Sequence, residues 1–102
     1  MNEHYRQGDV LLVRVEALPN GSVKEDNDES VVLAYGEVTG HAHRLSASTV
    51  TMYAWKGDKL IEVKKPTPLT HEEHSPIEVA PGFYKVVRQR EYTPERIQNV
   101  CD

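Results

Sequence analysis

Residues 49–64 read TVTMYAWKGDKLIEVK, and this stretch decides the fold class. Residues 49–55 are rich in β-branched and aromatic side chains, which favour strands. Residues 56–59 contain the glycine and aspartate that are typical of a turn, and residues 60–64 return to apolar, strand-like sequence. The whole stretch therefore predicts a β-hairpin.

Strand-like segments also precede this hairpin. Residues 8–18 open with a Gly-Asp turn signal, and their second half alternates between apolar and charged side chains. This alternation predicts a strand that buries Val13 and Val15 and exposes Arg14. Residues 31–35 form a short apolar run that predicts a second strand.

Prolines and polar runs separate the remaining segments. Residues 19–30 are polar and acidic and predict an exposed loop. Residues 65–69 contain two prolines, which predict a connection or an edge strand. Residues 77–79 and 83–92 flank an Ala-Pro-Gly turn and predict a second hairpin, and a Thr-Pro start signal predicts a short C-terminal helical turn over residues 93–100.

Together these elements predict an all-β fold, a small single-domain β-barrel or sandwich of about six or seven short strands over residues 1–102. Hydrophobic residues make up 38% of the chain and charged residues 27%, a balance typical of a globular domain. The polar N-terminus lacks the apolar core of a signal peptide, and no apolar run is long enough to span a bilayer, so we expect a cytoplasmic location and no membrane partner.

The net charge of the chain indicates which classes of partner it is suited to bind. The formal net charge of −4 argues against a protein devoted to binding nucleic-acid backbone. A basic strip of Lys85, Arg88 and Arg90 beside Tyr84 and Tyr92 would suit single-stranded nucleic acid, but at this net charge a solvated sheet face is the preferred interpretation. We expect the partner to be a small molecule or a protein, which the sequence does not identify. A homodimer is an open alternative, because small β domains expose sheet edges.

Four of the five histidines fall in two tight motifs. His41 and His43 are two residues apart, which on a strand puts both imidazoles on one face. His71 and His74 are three residues apart and converge only if the backbone bends in a turn. The predicted hairpin between the two motifs returns the chain close to its starting point, so the two histidine pairs can lie near each other. Imidazole is a common ligand of transition metals, so the pattern predicts a metal site for zinc, nickel or iron with these four ligands.

Glu72 and Glu73 lie between the second pair of histidines. Either carboxylate would serve as a ligand, as a hydrogen-bond partner of a ligand, or as a general base in a catalytic role. Four histidines on one ion make a closed, structural site, whereas three leave room for water and hydrolytic chemistry.

Two alternatives to metal binding remain open. One is a phage or bacterial accessory module that binds protein or nucleic acid through surface histidines. The other is a metal-free ligand binder or enzyme whose histidines act as acid and base.

Two resemblances follow from these motifs. The phrases GEVTGHAHR at residues 36–44 and HEEHSPI at residues 71–77 resemble those of small bacterial and phage proteins without an assigned activity. The His-x-His pair and Pro81-Gly82 are also similar to parts of the cupin motif, in which two histidines, a following glutamate and a later histidine hold a metal in a small β-barrel. No glutamate occurs in residues 44–48, so the cupin likeness implies an analogy of architecture alone.

Overall fold

A computed structural model of the protein describes residues 4–35 and 40–88. The described residues form ten strands: β1 (His4–Gln7), β2 (Val10–Val15), β3 (Val23–Lys24), β4 (Ser30–Tyr35), β5 (Ala42–Ser46), β6 (Val50–Trp55), β7 (Asp58–Val63), β8 (Thr67–His71), β9 (His74–Val79) and β10 (Gly82–Arg88). Within the described ranges, no helix has the length and apolar character needed to cross a membrane.

The strands form two antiparallel sheets. A six-stranded sheet has the order β1-β2-β10-β7-β6-β3, and a four-stranded sheet has the order β4-β5-β8-β9. The all-β prediction is confirmed, but the described strands make two open sheets and no closed barrel. Ten strands exceed the six or seven predicted, because the short β1 and β3 and the proline-bearing β8 have weak sequence signals.

The hairpin of residues 49–64 is confirmed. Strands β6 and β7 pair from Val50 opposite Val63 to Trp55 opposite Asp58. The two turn residues, Lys56 and Gly57, have φ values of 50° and 83°. Positive φ at both positions is the type I′ geometry, whose twist matches that of the flanking strands.

The hydrophobic core draws side chains from both sheets. Leu12 and Ile61 of the larger sheet and Leu69 of the smaller sheet are fully buried in one cluster. On β2 the predicted faces are reversed, because Leu12 is buried while Val13 is only half-buried. Arg14 lies on the same face of β2 as Leu12. Its guanidinium carbon is 5.0 Å from the ring centroid of the buried Tyr84.

The predicted second hairpin is wrong. Strand β9 pairs with β8, whereas β10 pairs with β2 and β7 in the other sheet. The Ala80-Pro81 segment therefore carries the chain from one sheet to the other. Turn residues between two apolar runs do not distinguish a hairpin from such a crossing, because the partners of β10 lie far away in sequence.

The proline-rich segment contains a strand. Pro68 lies in β8 opposite Glu78 of β9. On its other side, β8 pairs with β5 through Arg44 and Thr70, so β8 is an interior strand and the predicted connection or edge strand is wrong. Pro68 lies outside that pair, so its missing N–H removes no hydrogen bond from it. Residues 19–30 are mostly exposed and include β3, and the predicted helical turn at residues 93–100 lies outside the described residues.

Candidate functional site

Three histidines form a row across three neighbouring strands. The Arg44–Thr70 pair between β5 and β8 places His43 beside His71, and His71 pairs directly with His74 across the two-residue turn at residues 72–73. Ring centroids are 4.3 Å apart for His43 and His71, 4.8 Å for His71 and His74, and 5.9 Å for His43 and His74. We call His43, His71 and His74 the histidine row.

His41 lies at the edge of this row. Its ring centroid is 5.9 Å from that of His71, in an edge-to-face arrangement. Its Nδ1 atom lies 2.8 Å from Glu73 Oε2, at ion-pair distance but without the alignment of a hydrogen bond. All four sequence-predicted histidines therefore come together, and the bend required at residues 72–73 is the turn of the β8–β9 hairpin.

Gln7 fixes the orientation of the buried His43 ring. Its side-chain Nε2 donates to the carbonyl oxygens of Leu69 at 2.9 Å and Ser75 at 3.0 Å. Both amide hydrogens are thereby used, so Oε1 is the acceptor that faces His43 Nδ1 at 2.9 Å. His43 accordingly carries its proton on Nδ1 and presents a free lone pair on Nε2, the form in which imidazole binds metals.

The β1–β2 turn packs against the rings of His43 and His74. Gly8 has a φ of +60°, and a Cβ atom built on it would lie 2.7 Å from His74 Nε2 and 3.3 Å from His43 Cε1. Only a glycine lets the turn come this close to both rings. The next residue, Asp9, directs Oδ1 to within 3.5 Å of His43 Nε2, while its Oδ2 accepts a 2.9 Å hydrogen bond from Arg88 Nη2.

Burial and neighbouring charges set the protonation of His43. His43 is 2% exposed. Burial lowers the pKa of His43 below its usual value, the neighbouring His71 lowers it further, and Asp9 opposes both effects. The ring is therefore neutral at pH 7, as a metal ligand must be.

Glu72 holds the hairpin turn against β5. It accepts hydrogen bonds from the backbone N–H of Ala42 at 3.0 Å and from Arg44 Nη1 at 2.6 Å. The Arg44 hydrogen bond, followed by that from Ala42, lowers the pKa of Glu72 to about 2. Such a carboxylate is a poor proton acceptor at neutral pH, which favours a structural role over that of a general base.

The row requires side-chain movement before it can enclose an ion. In residues 4–35 and 40–88, no group of three or more His, Cys, Asp and Glu side chains has the geometry to hold a metal. His71 illustrates the reason, because its Nδ1 accepts a 3.0 Å hydrogen bond from the backbone N–H of Glu73. A neutral His71 then has its proton on Nε2. Its ring must turn away from the Glu73 N–H before Nδ1, or Nε2 of the other tautomer, can bind a cation.

Sequence reasoning missed three residues of the site: Gln7, Gly8 and Asp9. Gly8 and Asp9 were recognisable as a turn signal, but nothing local connects that turn to histidines more than thirty residues away. The basic strip is only partly described, and its described members have acidic neighbours. Arg88 pairs with Asp9, and Lys85 lies 3.5 Å from Asp58.

Comparison with known proteins supplies a family. The chain matches no curated protein and no solved structure. Residues 6–89 match the family described as a domain of unknown function, DUF8820, and this range includes the histidine row and the Gly8–Asp9 turn. Because the matched residues make up most of the chain, the protein belongs to the DUF8820 family.

Proposed function

We propose that the protein binds a divalent transition-metal ion through the histidine row. The observation that carries this proposal is the alignment of His43, His71 and His74 on three adjacent strands. A metal lies about 2.0–2.1 Å from an imidazole nitrogen, so two imidazoles on one tetrahedral ion have centroids about 5.2 Å apart. The observed separations of 4.3, 4.8 and 5.9 Å bracket this value, which supports the proposal that the three rings bind one ion after side-chain rotation.

The chemistry of the donors favours a borderline cation. Imidazole nitrogens suit zinc, nickel and iron, and the described part of the site contains no cysteine that would favour softer ions. Because His74 is exposed and His71 half-buried, the ion would be reachable from solvent. His41 and Glu73 lie beside the row and are candidates to orient His71 or to replace it as ligands.

Metal analysis of untagged protein tests the proposal. We expect close to one equivalent of bound metal after equilibration with zinc, nickel or iron(II) and removal of the free ion. Binding that is undetectable at micromolar protein for all three ions would refute the proposal. A zinc concentration of about one hundred times Kd should stabilise the fold by about 2.7 kcal/mol, which thermal unfolding detects readily.

Variants locate the ion. His74→Ala removes an exposed ring and should leave the fold intact while weakening zinc binding at least tenfold. His4→Ala is the matched control, because His4 is exposed on β1 and takes no part in the histidine row. Equal affinities for His74→Ala and His4→Ala would place the bound metal elsewhere on the chain.

A further inference from the structure

We infer that the Asp9 carboxylate is a further ligand of the metal ion, so that the site offers imidazoles and one carboxylate to a divalent cation. This inference rests on the metal-binding function proposed above. Asp9 belongs to the β1–β2 turn, which reaches the histidine row from the other sheet. Its Oδ1 atom lies 3.5 Å from His43 Nε2.

The contact between Asp9 and His43 brings two electron-pair donors face to face. The Nδ1–H of His43 donates a hydrogen bond to Gln7 Oε1, so a neutral ring points the Nε2 lone pair at the carboxylate. A cation bound between the nitrogen and the carboxylate oxygen would stabilise this contact. On a tetrahedral ion with bonds of about 2.0–2.2 Å, a nitrogen and an oxygen ligand are about 3.4 Å apart. The observed 3.5 Å matches this spacing without any movement of the backbone.

His74 supplies a third donor at the same turn. The built Cβ position on Gly8 lies 2.7 Å from His74 Nε2 and 3.3 Å from His43 Cε1, the carbon bonded to His43 Nε2. His43 and His74 therefore lie beside the turn that bears Asp9, and His71 would join these three residues once its ring turns.

Arg88 orients the carboxylate for this role. It donates a 2.9 Å hydrogen bond to Asp9 Oδ2, which is the oxygen that does not face His43. Hydrogen bonding to one oxygen fixes the other in place, as partners of ligating carboxylates commonly do. The single negative charge also favours divalent cations over monovalent copper, because carboxylates suit harder ions.

Zinc affinity and the visible spectrum of the cobalt-loaded protein test the inference. Asp9→Asn keeps the shape of the side chain and should weaken zinc binding at least tenfold and change the cobalt spectrum. Arg88→Gln removes the ion pair but keeps the carboxylate, so its cobalt spectrum should stay close to that of the wild type. Asp58→Asn is the control, since Asp58 is a half-buried carboxylate that is paired with Lys85 and takes no part in the histidine row. Urea unfolding of each metal-free variant confirms that it folds.

The outcomes separate the two proposals. Wild-type protein that binds no metal overturns the proposed function, and this inference with it. If the wild type binds zinc and the zinc affinity of Asp9→Asn is within twofold of the wild-type affinity, the inference alone is overturned. The inference is also overturned if Asp9→Asn and Arg88→Gln lose zinc affinity equally and both keep the cobalt spectrum of the wild type. Asp9 would then act through its ion pair with Arg88 and not as a ligand.

Discussion

Gly8→Ala tests whether the β1–β2 turn and His74 share one site. The backbone at Gly8 has a φ of +60°, where an L side chain costs about 1–2 kcal/mol. The new methyl group would also lie 2.7 Å from His74 Nε2, against 3.4 Å for ordinary contact, so the ring must move by about 0.7 Å. In the metal-free protein the exposed ring can make that movement cheaply. With metal bound it cannot, because ligand distances tolerate only about 0.2 Å.

The matched control is Gly57→Ala. Gly57 also has positive φ, +83°, but a Cβ atom there meets nothing within 4 Å. In EDTA, urea unfolding should show a loss of about 1–2 kcal/mol for both variants. In a zinc titration against a chromophoric chelator, only Gly8→Ala should bind more weakly, by about 10–100-fold. Equal zinc affinities for Gly8→Ala and wild type would refute the reasoning, since His74 would then bind the ion away from the turn.

Three further outcomes are expected. Gln7→Leu removes the donor to the Leu69 and Ser75 carbonyls and the partner of His43, and should lower the free energy of unfolding by about 2–4 kcal/mol; a loss below 0.5 kcal/mol in urea unfolding would contradict this. Burial raises the pKa of Tyr84 to about 12, so the stability it contributes should be complete below about pH 10 and disappear as the pH rises to 12. The loss should be about 2–3 kcal/mol in alkaline urea titrations, and Tyr84→Phe should lack this component. Zinc binding should weaken at least tenfold between pH 7.5 and 5.5, because protons compete for the imidazole nitrogens, and calorimetry at the two pH values measures this directly.

Local patterns predicted the elements whose signals are local. The 49–64 hairpin follows from side-chain type and a turn that needs positive φ, and both are visible in the sequence. The two-residue spacing of His41 and His43 predicts two rings on one side of a strand. In the structure, His41 precedes β5, and both rings lie near His71. The reversed faces of β2 had a local cause too: the apolar run before Arg14 blurs the alternation, and Arg14 itself packs over Tyr84.

The partners of each strand could not be predicted in the same way. The histidine row exists because β5 lies beside β8, a pairing made through Arg44 and Thr70. Likewise, β10 follows β9 in sequence but joins the other sheet. Strand β1 and the turn after it bring Gln7 and Asp9 to histidines far along the chain. Such pairings depend on how two sheets share one core, and no window of sequence contains that information.

The placement of Gln7 and His43 argues for function over stability. Both side chains are almost fully buried, at 3% and 2% exposure, where two apolar side chains would pack without any need for hydrogen bonds. The chain instead satisfies Gln7 with two carbonyl oxygens and uses its remaining acceptor to fix His43. A fully satisfied polar pair in a core holds a side chain in one defined orientation. Here that orientation turns His43 Nε2 towards Asp9, so the polar pair would serve the proposed metal site.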